Sequence, residues 1–593
     1  MRKGFWLPVA ALSTLLAACS GGGSGGAGIG GTPTPTPAPN TALNDLHANQ
    51  LFDTDAASGT ATYDTSRGTV TSGGAGSSSI QVSYDATARS YTVSTAGRSE
   101  TFTPSQIQTG TLPGETRYAA LDGSTRDYLT LVVTPYTSGT PNRYVAKGYW
   151  QRNALAGTTQ STTYDAFVYG FATPAAAVPR TGTAGYAIDV FGLVNTPGKD
   201  PRAFTGAGTF QVDLLQGLFQ TKTYVTEASL TNGTVISGGQ VFLQAAGHVS
   251  SGNGLSGNVS YNNLDGVLGG TIAGRFYGPG AEEVGASFSA DNGGGASVTG
   301  SLTGQRDPGQ APVTQSLTNL VADVELPEHF AEYSVGYDTS LSPAFEGAIG
   351  YNQPTDGKVT LHSDGSVVIQ PLYASTMQAN LTAADRSAAQ RTNFVSYDKV
   401  VEGRQVHLDL YKPGGSNTEL ALTYASFGIW REDFQNGTFS HVRKEFMAYG
   451  LETPSWLLSR RTGSGTYDGV VYGATTTLDG TQQDVGGTSR FDVDFNAQHY
   501  SGSLDLNARA AGGATSSLGT WTFGDRLVAG QMAATPLFHN GVTGDNDLQY
   551  NSIRPRFYGP DGEEIAATFT IQNGQAAAVG VTGITGVTVA KRR

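Results

Sequence analysis

Arg275-Phe276-Tyr277-Gly278-Pro279 stands again, 281 residues further on, as Arg556-Phe557-Tyr558-Gly559-Pro560. At the same offset Glu282-Glu283 matches Glu563-Glu564, Phe288 matches Phe569, and Asn292-Gly293 matches Asn573-Gly574. Upstream, Phe210-x-Val212-Asp213 matches Phe491-x-Val493-Asp494, Gly192 matches Gly473, and Tyr186 matches Tyr467. One inserted residue near Arg461 lowers the offset to 280. Beyond it Thr173-Pro174 pairs with Thr453-Pro454, Tyr169-Gly170 with Tyr449-Gly450, Trp150 with Trp430, Gly148 with Gly428, and Tyr144 with Tyr424. An offset held over about 150 residues with one shift is the mark of an internal duplication, not of composition. The chain is therefore read as two homologous lobes in tandem, with Arg306 to Leu320, which contains Asp307-Pro308-Gly309 and Ala311-Pro312, as the linker.

The repeated block has a physical reading. Phe276 enters a strand core, Gly278-Pro279 turns the chain, and Val284, Ala286 and Phe288 return on one face; Ile565, Ala567 and Phe569 do the same in the second lobe. This is a hairpin whose inward residues fill a barrel or a sandwich. The adjacent glutamates are read as solvated hairpin charges, because neighbouring residues of a strand face opposite ways and do not form a carboxylate pair. Elsewhere, runs such as Tyr128 to Val133, Gly208 to Leu214 and Gly365 to Ile369 are rich in β-branched and aromatic residues and are divided by Gly, Asn, Asp and Pro. The expected class is all-β. The best helical candidate is Ala383 to Asn393, whose apolar face is thin.

The N-terminus reads as an address. Arg2 and Lys3 precede an apolar stretch from Phe5 to Ala18, and Leu16-Ala17-Ala18 leads into Cys19, the one cysteine of the chain. The apolar stretch is shorter than the roughly 20 residues a spanning helix needs. The pattern resembles a bacterial lipobox, which implies cleavage before Cys19 and acylation of that residue. Several acyl chains anchor stably where one binds marginally. Ser20 in the next position resembles lipoproteins sorted to the outer membrane. From there to Asn40, glycine and serine give way to Thr-Pro repeats, a tether that is flexible and then extended.

Removing Arg2 and Lys3 with the leader takes the formal net charge from −13 to −15, which makes nucleic acid and anionic lipid poor partners for the body. With one cysteine there are no intrachain disulfides, so each lobe needs a large apolar core.

The Phe-Tyr-Gly-Pro segment followed by glutamate and an alternating strand, together with the Thr-Gly-x-x-x-Tyr starts at Thr181 to Tyr186 and Thr462 to Tyr467, resembles the barrel domain of transferrin-binding protein B. The resemblance implies an all-β fold of two tandem lobes, each a β-rich handle domain followed by an eight-stranded antiparallel β-barrel. It divides the chain into a signal peptide (1–18), a tether (19–42), a first handle (43–175) and barrel (176–305), a linker (306–320), and a second handle (321–455) and barrel (456–593). It also implies a lipid-anchored, surface-exposed outer-membrane lipoprotein that captures an extracellular protein or haem ligand, beside an outer-membrane transporter and a surface-lipoprotein export factor. No intrinsic cofactor is expected; haem or carrier-bound iron enters as ligand. The disulfides and acidic low-complexity loops of those relatives are absent here.

For chemistry the sequence offers no constellation. His47, His248, His329, His362, His407, His441, His499 and His539 form no metal-ligand spacing, and there is no His-Glu-x-x-His, no Cys-x-x-Cys and no nucleophile elbow. No catalytic and no metal-binding residues are assigned. Recognition has softer signals: Tyr128, Tyr136, Tyr144 and Tyr149 gather in the first handle beside Trp150, and tyrosine is favoured at interfaces. Trp150 and Trp430, kept by both lobes, read as core. The main contact is expected in the first handle through loops such as Thr137 to Asn142. The leading function is a co-receptor for iron or haem acquisition; an adhesin or immune-evasion lipoprotein binding a host factor is the alternative, and an enzyme on a barrel scaffold is the third.

Overall fold

Short alternating runs make the body a succession of antiparallel strands, and the computed structural model describes it over residues 38–236, 238–370, 378–539 and 547–593, without the side chains of 353–356 and 573. Cys19, the leader and most of the tether lie outside the described residues. Asn40–Arg593 forms a single unit. Among the described residues no helix is long and apolar enough to cross a membrane.

The first handle has two sheets. Four strands, Gln50–Leu51, Gln81–Asp85, Ser90–Thr95 and Arg98–Phe102, pair in that order. Six more run Thr69–Ser78, Asp53–Asp64, Thr159–Gly170, Val145–Ala156, Thr125–Val132 and Glu115–Asp122. Between them Trp150 is fully buried, donating its indole N–H to Asp127 at 3.0 Å, with the Arg98 guanidinium 3.7 Å above the ring. The first barrel follows with eight strands, from Thr183–Asn195 to Ser297–Arg306, each paired to the next and the last to the first. Its inward positions are apolar and aromatic, with Phe210 stacked on Phe219 at 5.0 Å beside Phe276 and Phe288.

The second lobe repeats the frame with changes. Among the described residues its handle is one eight-stranded sheet, with Val324–Asp338 and Phe439–Gly450 at the centre, and Trp430 takes the place of Trp150 in the core. Its barrel has seven long strands among the described residues. Among the described residues the short pieces Gln531–Met532 and Phe538–His539 stand beside them, and a bridge from Thr535 to Ile553 joins the edges.

Two expectations are corrected. Ala383 to Asn393 is not a helix: only Ala383–Asp385 turns, as a 3-10 turn closed by Thr382 and Asp385, and the rest is a loop pinned by Gln390 to Ser387 and Ser396. Eleven residues without an apolar stripe cannot nucleate a helix that packing would then hold. The second correction concerns the repeated glutamates. Glu283 and Glu564 are 5% and 0% exposed, not solvated, because the handle folds over the hairpin and offers each carboxylate three backbone N–H groups.

The linker leaves the first barrel at Arg306, turns where Asp307 accepts from Gly309, and delivers Leu317 into the core of the second handle. The lobes touch directly. Leu218 of the first barrel is buried in a cluster otherwise made by the second lobe.

Candidate ligand-binding site

The repeated motif builds the joint between handle and barrel. Gly278 and Gly559 both have φ +87, in the left-handed region, and a Cβ there would lie 2.4 Å from the following Glu282 or Glu563 carboxylate, so both the turn and its packing require glycine. Phe276, Tyr277, Phe557 and Tyr558 are all fully buried beside it, with Pro279 and Pro560 completing the two turns. The Tyr186 hydroxyl donates to the Ala281 carbonyl at 2.8 Å, and Tyr467 donates to Gly562 at 2.7 Å. Glu283 accepts from the backbone of Arg143, Tyr144 and Val145 at 2.7, 2.8 and 2.9 Å; Glu564 accepts from Thr423, Tyr424 and Ala425 at the same three distances. Burial raises both carboxyls above their ordinary value even against those N–H donors, which pull the other way. The signature that marks the repeat is thus a clamp and not a binding surface.

The four tyrosines divide. Tyr149 is 4% exposed, with its ring stacked on Tyr164 at 5.8 Å and against Phe191 at 4.8 Å. Tyr136 is half-buried in the same seam, 5.3 Å from Phe191, and Tyr144 packs half-buried over Gly278. These three rings are engaged in joining handle to barrel. Tyr128 is half-buried further out, paired with Gln151 across the strands.

The loop Thr137 to Asn142 also belongs to the seam. Thr137 donates its backbone N–H and its hydroxyl to Asp189 of the barrel at 2.9 and 2.7 Å, and Gln305 holds Pro141 and the buried Asn142. Replacing it with Gly-Ser would remove the bonds of the Thr137 hydroxyl and the Asn142 side chain, so such an exchange is expected to lower the melting temperature.

Outward of the seam, strand register gathers residues that the sequence scatters. Leu121 pairs with Arg126, Arg126 with Asn153, Tyr128 with Gln151, and Leu155 with Gln160. The alternation of a strand puts Leu121, Tyr128 and Leu155 on one face. Leu121 is 71% and Leu155 51% exposed. Next to them a cleft of about 340 Å³ opens between handle and barrel, walled by Tyr63, Gln151, Gln160, Leu193, Pro201 and the exposed Leu230. Two exposed leucines and a tyrosine set among Arg126, Gln151 and Asn153, beside a cleft, make a mixed surface of the kind protein interfaces use. Sequence reading missed the leucines because single exposed leucines are ordinary; only register groups them.

Among the described residues one set of side chains has the spacing of a metal site: His248, Asp561 and Glu563, brought together from the two lobes. No motif scan sees it, since 313 residues separate His248 from Asp561. His248 Nε2 lies 3.0 Å from Asp561 and 3.9 Å from Glu563, an ion pair across the lobe junction. The hydrogen bond to Asp561 raises the His248 pKa and lowers that of Asp561, and burial pushes Glu563 up to about 7. A raised histidine contributes stability below its ordinary value of 6.5 that is lost as pH rises through the folded value. A raised glutamate favours its protonated form in the fold, so it too loses stability as pH rises from its ordinary 4.5 through about 7. The melting temperature of the body is therefore expected to fall between pH 5 and 8. His248→Gln should flatten that fall, as measured by calorimetry across the range; an identical slope in the variant would contradict the assignment.

Residues 460–586 match the family described as the C-lobe and N-lobe beta barrels of Tf-binding protein B. The resemblance read from the repeat is thus shown for the second barrel. No curated protein matches the chain. Among solved structures, a double mutant of the vaccine antigen Transferrin Binding Protein B from Haemophilus parasuis Hp5 is 16% identical, covering 78% of this chain and 85% of that one, at a TM-score of 0.26. The isotype 1 Transferrin binding protein B from serogroup B Neisseria meningitidis is 15% identical over 78% of this chain and 89% of that one, at a TM-score of 0.25. At such scores the whole-chain overlap decides nothing; the strand order of the two lobes and the barrel match carry the fold.

Proposed function

We propose that this chain is a lipid-anchored receptor of the outer-membrane surface that captures an extracellular iron-bearing ligand, acting beside an outer-membrane transporter. The observation that carries the reading is the match of the second barrel to the Tf-binding protein B barrels, because the duplication extends the same frame to the first lobe. Cys19, as the acylated N-terminus, supplies the anchor and the Gly/Ser/Thr-Pro tether the reach. No intrinsic cofactor is needed for capture; iron or haem arrives with the ligand. The relatives' names say that they bind transferrin, and an iron carrier protein is the ligand class proposed here.

The docking surface proposed is the outer face of the first handle with its cleft: Tyr128, Leu121, Leu155 and Leu230. Fully burying a leucine is worth about 1.5–3 kcal/mol, so losing two such contacts costs a hundredfold in affinity at the low end of about 3–6 kcal/mol. With residues 40–593 immobilised, iron-loaded transferrin and a haem carrier are the probes. Saturable binding of either is expected, weakened roughly a hundredfold by Leu121→Asp with Leu155→Asp at little change in melting temperature. Binding of neither carrier, with capture of an iron-free host surface protein instead, would favour the adhesin reading and overturn this one.

A further inference from the structure

Because the lobes share a frame, the cleft between handle and barrel can be compared position by position. In the first lobe it is filled by the Tyr149–Tyr164 stack, pressed on Phe191. At the matching positions the second lobe has Ile429, Lys444 and Tyr472, placed by the Trp150–Trp430 and Gly192–Gly473 equivalences. The stack is gone, and an open cleft of about 510 Å³ takes its place. That volume lies in the range of small-molecule sites.

The cleft has also changed charge. Its lining includes Arg391, Arg431, Lys444 and Arg509, with His407, against two carboxylates, Asp409 and Asp484. The first-lobe equivalents of the four permanent cations are Leu112, Gln151, Tyr164 and Ala228, and that of His407 is Tyr128, all uncharged. Asp409 and Asp484 are gained as well, at the places of Thr130 and Ala203, so in a chain of net charge −13 the cleft gains four cations against two carboxylates and is net positive.

The cations are held loosely enough to serve a ligand. Lys444 pairs with Asp484, which is 79% exposed, and Arg431 with Asp433, which is 51% exposed. With so solvated a carboxylate on the other side, such pairs are weak and give way to a better anion. Arg509 has no ion-pair partner among the described residues. Arg391 is more firmly set, 2.6 Å from the buried Asp409 and 4.1 Å over the Phe394 ring. Hydrogen bonds to Asp409 and to Asp398 push His407 up to about 9, so it is charged at neutral pH. Ile429, Val485 and the Tyr472 ring add apolar surface to the same lining. Apolar walls with a few convergent charges are what an amphipathic anion requires.

We infer that the handle–barrel cleft of the second lobe is a binding site for a small organic anion carrying two or more carboxylate or phosphate groups, held by Arg431, Lys444 and Arg509 with Arg391 at the rim. The site is separate from the first-handle face, so it stands or falls independently of carrier capture.

The test uses residues 40–593 in calorimetric titration with citrate and, separately, with pyrophosphate at low salt. One-site saturable binding of at least one of them is expected, with Kd below roughly 1 mM. Lys444→Tyr with Arg431→Gln restores the first-lobe residues and should weaken binding at least roughly tenfold. Arg509→Ala, an exposed truncation with no fold cost, should weaken it severalfold, while Lys222→Gln on the first barrel should leave it unchanged. Preference for citrate would assign a carboxylate ligand and for pyrophosphate a phosphorylated one. Absence of saturable heat with both anions up to about 10 mM, or binding indifferent to all the cleft variants, would overturn the assignment.

Discussion

Asp189→Ala is expected to destabilise the first lobe by about 3–5 kcal/mol, the range for breaking a buried ion pair from one side. Asp189 is 2% exposed and Lys147, its partner, is fully buried. The same carboxylate holds the Thr137 loop through two hydrogen bonds. Burial pulls the Lys147 ammonium down to about 7, and once Asp189 is removed only the Tyr136 ring, 4.9 Å away, still favours its charge. The second lobe shows the apolar alternative: Phe427 and Val470 occupy the equivalent positions, packed in one cluster. Lys147→Met combined with Asp189→Val is therefore expected to recover most of that loss, leaving about 1–3 kcal/mol for the Thr137 N–H and hydroxyl that no longer find an acceptor. Urea unfolding of the parent, the single variant and the pair decides it. A single variant as stable as the parent would show that the pair carries no charge in the fold.

Glu564→Ala is expected to cost about 3–6 kcal/mol in the second lobe, because three buried N–H donors lose their acceptor at about 1–3 kcal/mol each, partly recovered by water. Glu283→Ala should do the same in the first. Glu564→Gln keeps one acceptor oxygen and should cost roughly half as much. Hydrogen exchange at Thr423, Tyr424 and Ala425 gives the local readout: protection there should collapse in Glu564→Ala while the barrel strand Ser464–Thr477 remains protected. Unchanged exchange at those three amides would show that the clamp is not the joint.

Much of this architecture is legible in the amino-acid sequence. The constant offset gave two lobes, and period-two patterning gave strands, since both depend on residues close together in sequence. What Glu283 and Glu564 do was not legible. Alternation along one strand says which way a side chain points, but nothing about a second element folding over it, so a buried clamp looked like a solvated charge. The tyrosines failed in a related way: Tyr136, Tyr144 and Tyr149 are crowded in sequence because one strand and its loop line the seam, and crowding alone does not distinguish a seam from a surface. The grouping of Leu121, Tyr128 and Leu155 on the face proposed for docking and the lobe junction of His248 with Asp561 needed strand register and tertiary contact, to which single-chain patterning is blind.

Display at the cell surface is the premise of the receptor reading. Intact cells carrying the full chain should lose the body to an added protease while periplasmic markers survive, and washed cells should retain iron-loaded carrier before that treatment and not after it. Cys19→Ala should move the protein to soluble fractions and abolish retention by cells. A body that resists protease until the outer membrane is broken, with retention of carrier unaffected by Cys19→Ala, would contradict the account.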